Sequence, residues 1–307
     1  MANAETSDRA SPAATVYCNG ELLLASAARL PIDDAGVLFG LGFFETFRTS
    51  GGRPHHWPFH RARLEQACRM AGIEIPPNFL GRDDGRLREV VAVLLREHGA
   101  SEGVFRYTLT AGRASEVTTG PTFTRPGEVL TFRAFPSTAP REGISLRVLQ
   151  LARDNGEWLP RPKSLNYANA FAGAEELRRR TDIASDEGLF LSREERWLVE
   201  TARQNIAWMA DGKLCYPDPT LGAVSGTCLS WALQCGLPVT PRRAKLDELR
   251  AAEAVIVLNA VRGVTPVREL WDQDDRVRLQ RYSSWEHPLV MELQQRWSDA
   301  LLATARS

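Results

Sequence analysis

Two dipeptides, Asn19-Gly20 and Asp211-Gly212, do most to limit the folds open to this chain. Each sits between short apolar runs, at 15–24 and at 205–216. Asn-Gly and Asp-Gly accept the positive φ of a two-residue hairpin, so each commits its flanks to neighbouring antiparallel strands. Apolar residues at helical spacing lie between them, at 59–71 and 87–98, closed by Gly72 and Gly99. Strand-like runs at 43–49, 104–111 and 128–135 accompany them, and 31–42 reads as a loop. Pro136-Ser-Thr-Ala-Pro-Arg-Glu-Gly143 combines prolines with small polar residues and reads as a linker. It separates a smaller α/β domain, 15–135, from a larger one, 144–307, with 1–14 as a disordered lead-in.

In the larger part, strands are expected at 144–152, 188–192, 197–201, 205–209, 213–216 and 254–259. A helix at 166–180 takes Asn166 or Ser164 as its cap. Further helices are expected at 226–236 and, with a charged face, at 244–253. The expected fold class is therefore α/β (α+β) in two unequal parts.

The totals exclude several functions. With 38 acidic and 38 basic residues the chain carries no electrostatic footprint for nucleic acid. No stretch approaches the roughly 20 apolar residues of a membrane span. Residues 1–14 lack the basic start and apolar core of a signal peptide. The five cysteines are odd in number and form no CxxC pair, which favours reduced thiols in a cytoplasm and no structural metal.

Lysine is where chemistry first shows. Of the 38 basic residues only Lys163, Lys213 and Lys245 are lysines. Arginine serves charge and solubility equally well but keeps its proton, whereas a desolvated lysine can act as a base or form a Schiff base. Lys213 reads as a turn residue beside Asp211-Gly212, and Lys245 as a surface residue. Lys163 stands in Arg161-Pro162-Lys163-Ser164-Leu165-Asn166-Tyr167. It is either retained for its chemistry or a lysine left by chance.

Lysine chemistry on an amine needs an electron sink, commonly pyridoxal phosphate, and that cofactor also demands an anion site and a partner for its ring nitrogen. Ser225-Gly226-Thr227-Cys228 opens a helix, whose first amides form an anion site. Arg63 offers a bidentate guanidinium, as any of the other arginines does. Glu200 follows the apolar Trp197, Leu198 and Val199, and is either at a strand end in water or aimed at a buried cation.

An ordered set of motifs then gives a resemblance. Phe39-Gly40-Leu41-Gly42-Phe43-Phe44-Glu45-Thr46 is similar to the Phe-Gly-Asp-Gly-x-Phe-Glu-Thr segment of fold-type IV pyridoxal-phosphate enzymes, the class IV aminotransferases. His60-Arg61-Ala62-Arg63-Leu64 resembles their His-x-x-Arg-Leu, and Lys163-Ser164-Leu165-Asn166 their Lys-Ser-Leu-Asn. Glu200 with Asn205-Ile206, and Gly226-Thr227-Cys228 for Gly-Ile-Thr, complete the series. Leu41 and Leu229 stand where the family commonly has aspartate and arginine.

The resemblance implies a two-domain fold like that of D-amino-acid aminotransferase, working as a homodimer with the cofactor in an interdomain cleft. It implies pyridoxal 5'-phosphate held by Lys163, with Arg63, Gly226, Thr227 and Cys228 at the phosphate. It also implies Glu200 at the ring nitrogen, with Asn205, Asn259 and Ala260 alongside. Asn259-Ala260 resembles the pair found in aminodeoxychorismate lyases, which convert 4-amino-4-deoxychorismate to 4-aminobenzoate and pyruvate. Gly112 to Glu116 holds no histidine, which counts against D-amino-acid transamination. Lys163 is the expected catalytic base and acid. Thr46 is either a substrate contact or a β-branched residue that merely suits a strand. Arg106 and Arg113 are candidates for a substrate carboxylate. The alternatives are a class IV aminotransferase that needs a 2-oxo acid, and a non-catalytic relative.

Overall fold

A computed structural model describes residues 14–114, 123–135, 141–154, 156, 158–181 and 186–306. The expected lead-in (except Ala14) and residues 136–140 of the expected linker lie outside them. The chain forms two compact units. The first gathers Met1–Pro136, Lys163–Asn166 and Leu301–Ser307, and the second Ser137–Pro162 and Tyr167–Ala300.

The first unit opens with β1 (Thr15–Cys18) and β2 (Glu21–Leu24), paired antiparallel around Asn19-Gly20. Asn19 and Gly20 both take positive φ, 47° and 99°, as that turn requires. The loop expected at 31–42 contains a short helix, α1 (Ala35–Phe39). The Asp34 side chain accepts the Gly36 N–H and caps it, and Gly40 ends it in the left-handed region. Five residues are too few for a hydrophobic period to reveal, and so the run reads as loop.

Next come β3 (Gly42–Ser50), β4 (Arg53–Pro54), α2 (Trp57–Met70), α3 (Asp84–Glu97), β5 (Val104–Thr110) and β6 (Gly127–Arg133). The six strands form one sheet in the order β2-β1-β6-β5-β3-β4. Phe43, Phe47, Phe105, Tyr107 and Leu109 are buried on it, and Trp57 and Leu64 of α2 and Leu87, Val91 and Leu94 of α3 are buried too. Burial of this apolar surface at about 25 cal/mol per Å2 is the main stabilising contribution.

The second unit holds β7 (Ile144–Val148), α4 (Ala168–Arg180), β8 (Glu187–Leu191), β9 (Leu198–Thr201), β10 (Asn205–Ala210) and β11 (Lys213–Pro217). After these come α5 (Thr227–Ala232), β12 (Val239–Arg242), α6 (Leu246–Ala251), β13 (Ala254–Asn259), β14 (Gly263–Trp271) and β15 (Arg278–Arg281). A long helix, α7 (Pro288–Arg306), completes the described chain. The nine strands make a mixed sheet, with β7 between β14 and β8 in parallel register and β10-β13-β14 antiparallel. Val255, Ile256 and Val257 are all fully buried, so β13 is covered on both faces. The sequence reading places no element beyond 254–259; β14, β15 and α7 are additions.

Neither Asn166 nor Ser164 caps α4. Its N-cap is Tyr167, with no side-chain capping bond. Ser164 instead bridges Phe43, and the Leu165 N–H donates to Gly42 O at 2.9 Å, so this segment runs along β3. Gly42 makes the approach possible, since a Cβ there would lie 2.5 Å from Leu109 O and 2.8 Å from Leu165 Cδ1.

Candidate active site

The expected site residues fall into two sets, one in each unit. Lys163, Arg63 and Thr46 belong to the first, and Glu200, Asn205, Gly226, Thr227, Cys228, Asn259 and Ala260 to the second.

Lys163 is anchored through its own backbone, whose carbonyl accepts the Phe44 N–H at 2.9 Å. Its ammonium lies 4.5 Å from the centroid of the Phe44 ring. The Arg106 guanidinium stacks on the same ring at 3.5 Å. Thr46 is paired with Arg106 across β3 and β5, and alternation along the strand puts it on the face of Phe44. Lysine and arginine thus meet on one phenyl ring, with threonine on the same face of the strand. Lys213 and Lys245 are exposed while Lys163 is half-buried, and Lys245 rests over Trp197 at 4.8 Å. Lys245 is not inside the expected charged helix but at its N-cap. Arg113 is drawn elsewhere, exposed and 3.7 Å from Asp33.

One residue along, Glu45 points to the opposite side of the strand and meets α2. The Arg63 Nε donates to Glu45 Oε1 at 2.8 Å, and Arg63 Nη2 pairs with the other oxygen. His60 Nδ1 lies 2.6 Å from that oxygen. His60 is fully buried, and burial pushes its pKa below the usual range against the pull of Glu45. Burial alone would raise the Glu45 carboxyl, but Arg63 and His60 outweigh it and hold it at about 2. The ionised carboxylate accepts only, so neutral His60 donates its Nδ1–H. Glu45 and His60 were missed as partners, because the motifs that contain them do not say that they touch.

In the second unit, Glu200 ends up buried, only 4 % exposed, and its partners are Arg153 and a backbone amide. Arg153 Nε and Nη2 both reach Glu200 Oε1, at 2.9 and 2.8 Å. The Val224 N–H donates to Glu200 Oε2 at 3.0 Å. Burial raises the carboxyl pKa, and Arg153, the Val224 amide and Arg161 pull against it. Two residues beyond Val224, Gly226 is the N-cap of α5 and has no side-chain capping bond. Asn205 Nδ2 donates to Val224 O at 2.8 Å and thereby holds the same turn.

Two observations fit this turn to a phosphorylated ring cofactor. A Cβ on Gly226 would fall 1.7 Å from Asn205 Oδ1, so only glycine leaves the backbone in place there. The buried Gln204 Nε2 finds no hydrogen-bond partner among the described residues and is a donor in reserve.

Other expected residues do different work. The Cys228 thiol is buried, and burial pushes its pKa far above the usual value. Its side chain is core, and only its N–H faces the role expected of it. Asn259 Oδ1 accepts from Val261 N and Arg262 N at 3.0 and 2.7 Å, and its Nδ2 donates to Gln204 Oε1. That side chain closes the β13–β14 turn. Ala260 sits half-buried in the same turn.

Comparison with known proteins identifies the family. The profile of the amino-transferase class IV family matches residues 42–270. Aminodeoxychorismate lyase of Bacillus subtilis is 27% identical over 83% of this chain and 86% of its own. D-alanine aminotransferase of Staphylococcus epidermidis is 24% identical over 83% of this chain and 88% of its own. The crystal structure of 4-amino-4-deoxychorismate lyase from Pseudomonas aeruginosa superposes with a TM-score of 0.73. It is 25% identical and covers 92% of this chain and 98% of that one. The chain belongs to the amino-transferase class IV family and is a pyridoxal-phosphate-dependent enzyme of fold type IV.

Proposed function

We propose that this enzyme is a lyase that converts 4-amino-4-deoxychorismate to 4-aminobenzoate and pyruvate. The observation that carries this reading is the meeting of Lys163 and Arg106 on the Phe44 ring, with Thr46 on the same strand face. An amine, a fixed guanidinium and a hydroxyl suit a substrate that must lose a proton beside its amine while its carboxylate is held. The likeness to aminodeoxychorismate lyases supports the same choice.

When bound, pyridoxal phosphate supplies the electron sink that lets a proton leave the amine-bearing carbon. Lys163 would hold the cofactor covalently, and its amine would take the proton from that carbon. The bond from the ring to the enolpyruvyl oxygen then breaks and the ring becomes aromatic. The proton held by Lys163 passes to the methylene carbon of the departing enolpyruvate and gives pyruvate, with Thr46 assisting. Glu200 would be the partner of the cofactor's ring nitrogen. The amides of Gly226, Thr227 and Cys228 would hold the phosphate, as would Arg63, which Glu45 orients. Asn205 and the Asn259-Ala260 turn shape the backbone around them.

On this reading the enzyme works in the cytoplasm as a homodimer and supplies a folate precursor. Leu30, Ile32, Val37, Leu38 and Phe39, between 38% and 81% exposed, are the apolar surface that a second copy would cover. Among the described residues no helix is long and apolar enough to cross a membrane.

The test is a product assay. The purified holoenzyme is given 4-amino-4-deoxychorismate without any oxo acid, beside Lys163→Ala. Release of 4-aminobenzoate and pyruvate by the wild type alone is expected. Activity seen only when an amino acid is paired with a 2-oxo acid assigns a transaminase and overturns the lyase.

A further inference from the structure

Arg153 was not among the expected site residues, yet its side chain is only 6% exposed and is shared between the buried Glu200 and the half-buried Asn169. Besides the Nε–H bond and the Nη2 ion pair to Glu200 Oε1, its Nη1 donates to Asn169 Oδ1 at 2.7 Å. Asn169 on α4 is itself tied back through its Nδ2 to Ala152 O at 3.1 Å. The Arg153 backbone N–H donates to Leu191 O, and its guanidinium lies 5.4 Å from the Phe190 ring centroid. The head group is therefore held from both sides. A bidentate guanidinium fixed this way sets both the orientation and the charge of the carboxylate it meets.

Counting acceptor sites on Glu200 shows which oxygen is left for a ligand. A carboxylate oxygen has about two lone-pair sites. Oε1 takes the Arg153 Nε–H and is covered by Nη2 of the same guanidinium at 2.8 Å. Oε2 receives one, from Val224, among the described residues. We propose that Arg153 is a positioning residue that keeps Glu200 ionised and turns Oε2 alone toward the cofactor's ring nitrogen. The inference rests on the reading of Glu200 as that nitrogen's partner. In its terms Arg153 governs the strength of the electron sink without touching the cofactor. A buried carboxylate that loses the cation bonded to it takes up a proton more readily. It can then no longer accept a charge-assisted bond from a protonated ring nitrogen.

The experiment compares two cofactors on apoenzyme, pyridoxal phosphate and its 1-deaza analogue, which has carbon in place of the ring nitrogen. Affinities are measured by fluorescence quenching for wild type, Arg153→Met and Arg153→Lys, with the thermal melt of each apoprotein. Arg153→Met is expected to weaken pyridoxal phosphate roughly tenfold or more and leave the analogue unchanged or tighter. Arg153→Lys, which keeps the charge but not the fork, is expected to recover most of the loss. Should Arg153→Met not fold, Arg153→Lys carries the comparison, with a loss of roughly threefold confined to the cofactor that has the nitrogen. Equal weakening of both cofactors, or of neither, overturns the proposal. A wild type that binds the two cofactors equally sinks the reading of Glu200 itself, which is a separate outcome.

Discussion

Gly226 and Asn205 are packed so closely that a methyl group on the glycine would lie 1.7 Å from the Asn205 side-chain oxygen. Asn205 also holds Val224 O, so its side chain has little room to retreat. Gly226→Ala is therefore expected to displace the turn, costing about 1–3 kcal/mol of stability as overpacking does. Cofactor affinity should fall with it by roughly tenfold or more. Adding Asn205→Ala should return part of the stability, and a double-mutant cycle by denaturant unfolding measures it. Strict additivity of the two changes would remove the steric explanation.

Phe44 carries two cations, Arg106 at 3.5 Å and Lys163 at 4.5 Å. Arg106 is exposed and Lys163 half-buried, so each contact contributes about 0.5–1 kcal/mol and the two together about 1–2 kcal/mol. Phe44→Leu keeps an apolar side chain but loses the ring face. A fall in kcat/KM of roughly 5- to 30-fold is expected from that range, with the melting temperature changed by only a few degrees. Steady-state kinetics that match the wild type would show that the ring positions neither group.

Acid stability follows from Glu45 and the buried histidines. The Glu45 carboxyl is held at about 2 in the folded chain against 4.5 ordinarily. Its folded-state pKa is depressed, so its contribution is present above about pH 4.5 and lost as pH falls toward 2. That contribution is on the order of 3 kcal/mol. Burial lowers His55 to about 3 and His56 to about 4, with His60 lowered as well. The unfolded chain takes up their protons first, so stability begins to fall below about pH 6.5. Chemical unfolding between pH 8 and pH 3 should show both phases, and Glu45→Gln should flatten the lower one while weakening the fold at neutral pH.

Asn259 spends its side-chain atoms on Val261, Arg262 and Gln204. Asn259→Ala should cost about 1–2 kcal/mol through the turn. Cofactor affinity should change less than about threefold, since none of those bonds goes to a ligand in this arrangement. A large loss of affinity at unchanged melting temperature would reverse that assignment.

What could be read from the chain alone divides along physical lines. The Asn19-Gly20 and Asp211-Gly212 hairpins were legible because a positive φ is a local demand that few residues meet. The motif residues around Lys163, Glu200 and Gly226 were legible through resemblance. Arg153 was not, because nothing local sets one arginine apart in a chain where nearly every basic residue is arginine. The pairing of Lys163 to Leu165 with β3 was equally hidden, since Phe43 and Ser164 meet across a long stretch of chain and leave no periodic trace. The same pairing explains why Asn166, a good capping residue, caps nothing.

The first unit also takes in Leu301–Ser307, where Leu301 O accepts the Ser50 hydroxyl and Thr304 Oγ1 meets His55 Nδ1, each at 2.8 Å. Synthesis runs from the N-terminus, so the six-stranded sheet leaves the ribosome long before these residues exist. Its edge at β3 must also wait for residues 163–166. The domain that emerges first is thus among the last to be finished, and a nascent chain stalled before residue 300 carries Lys163 in a half-built setting.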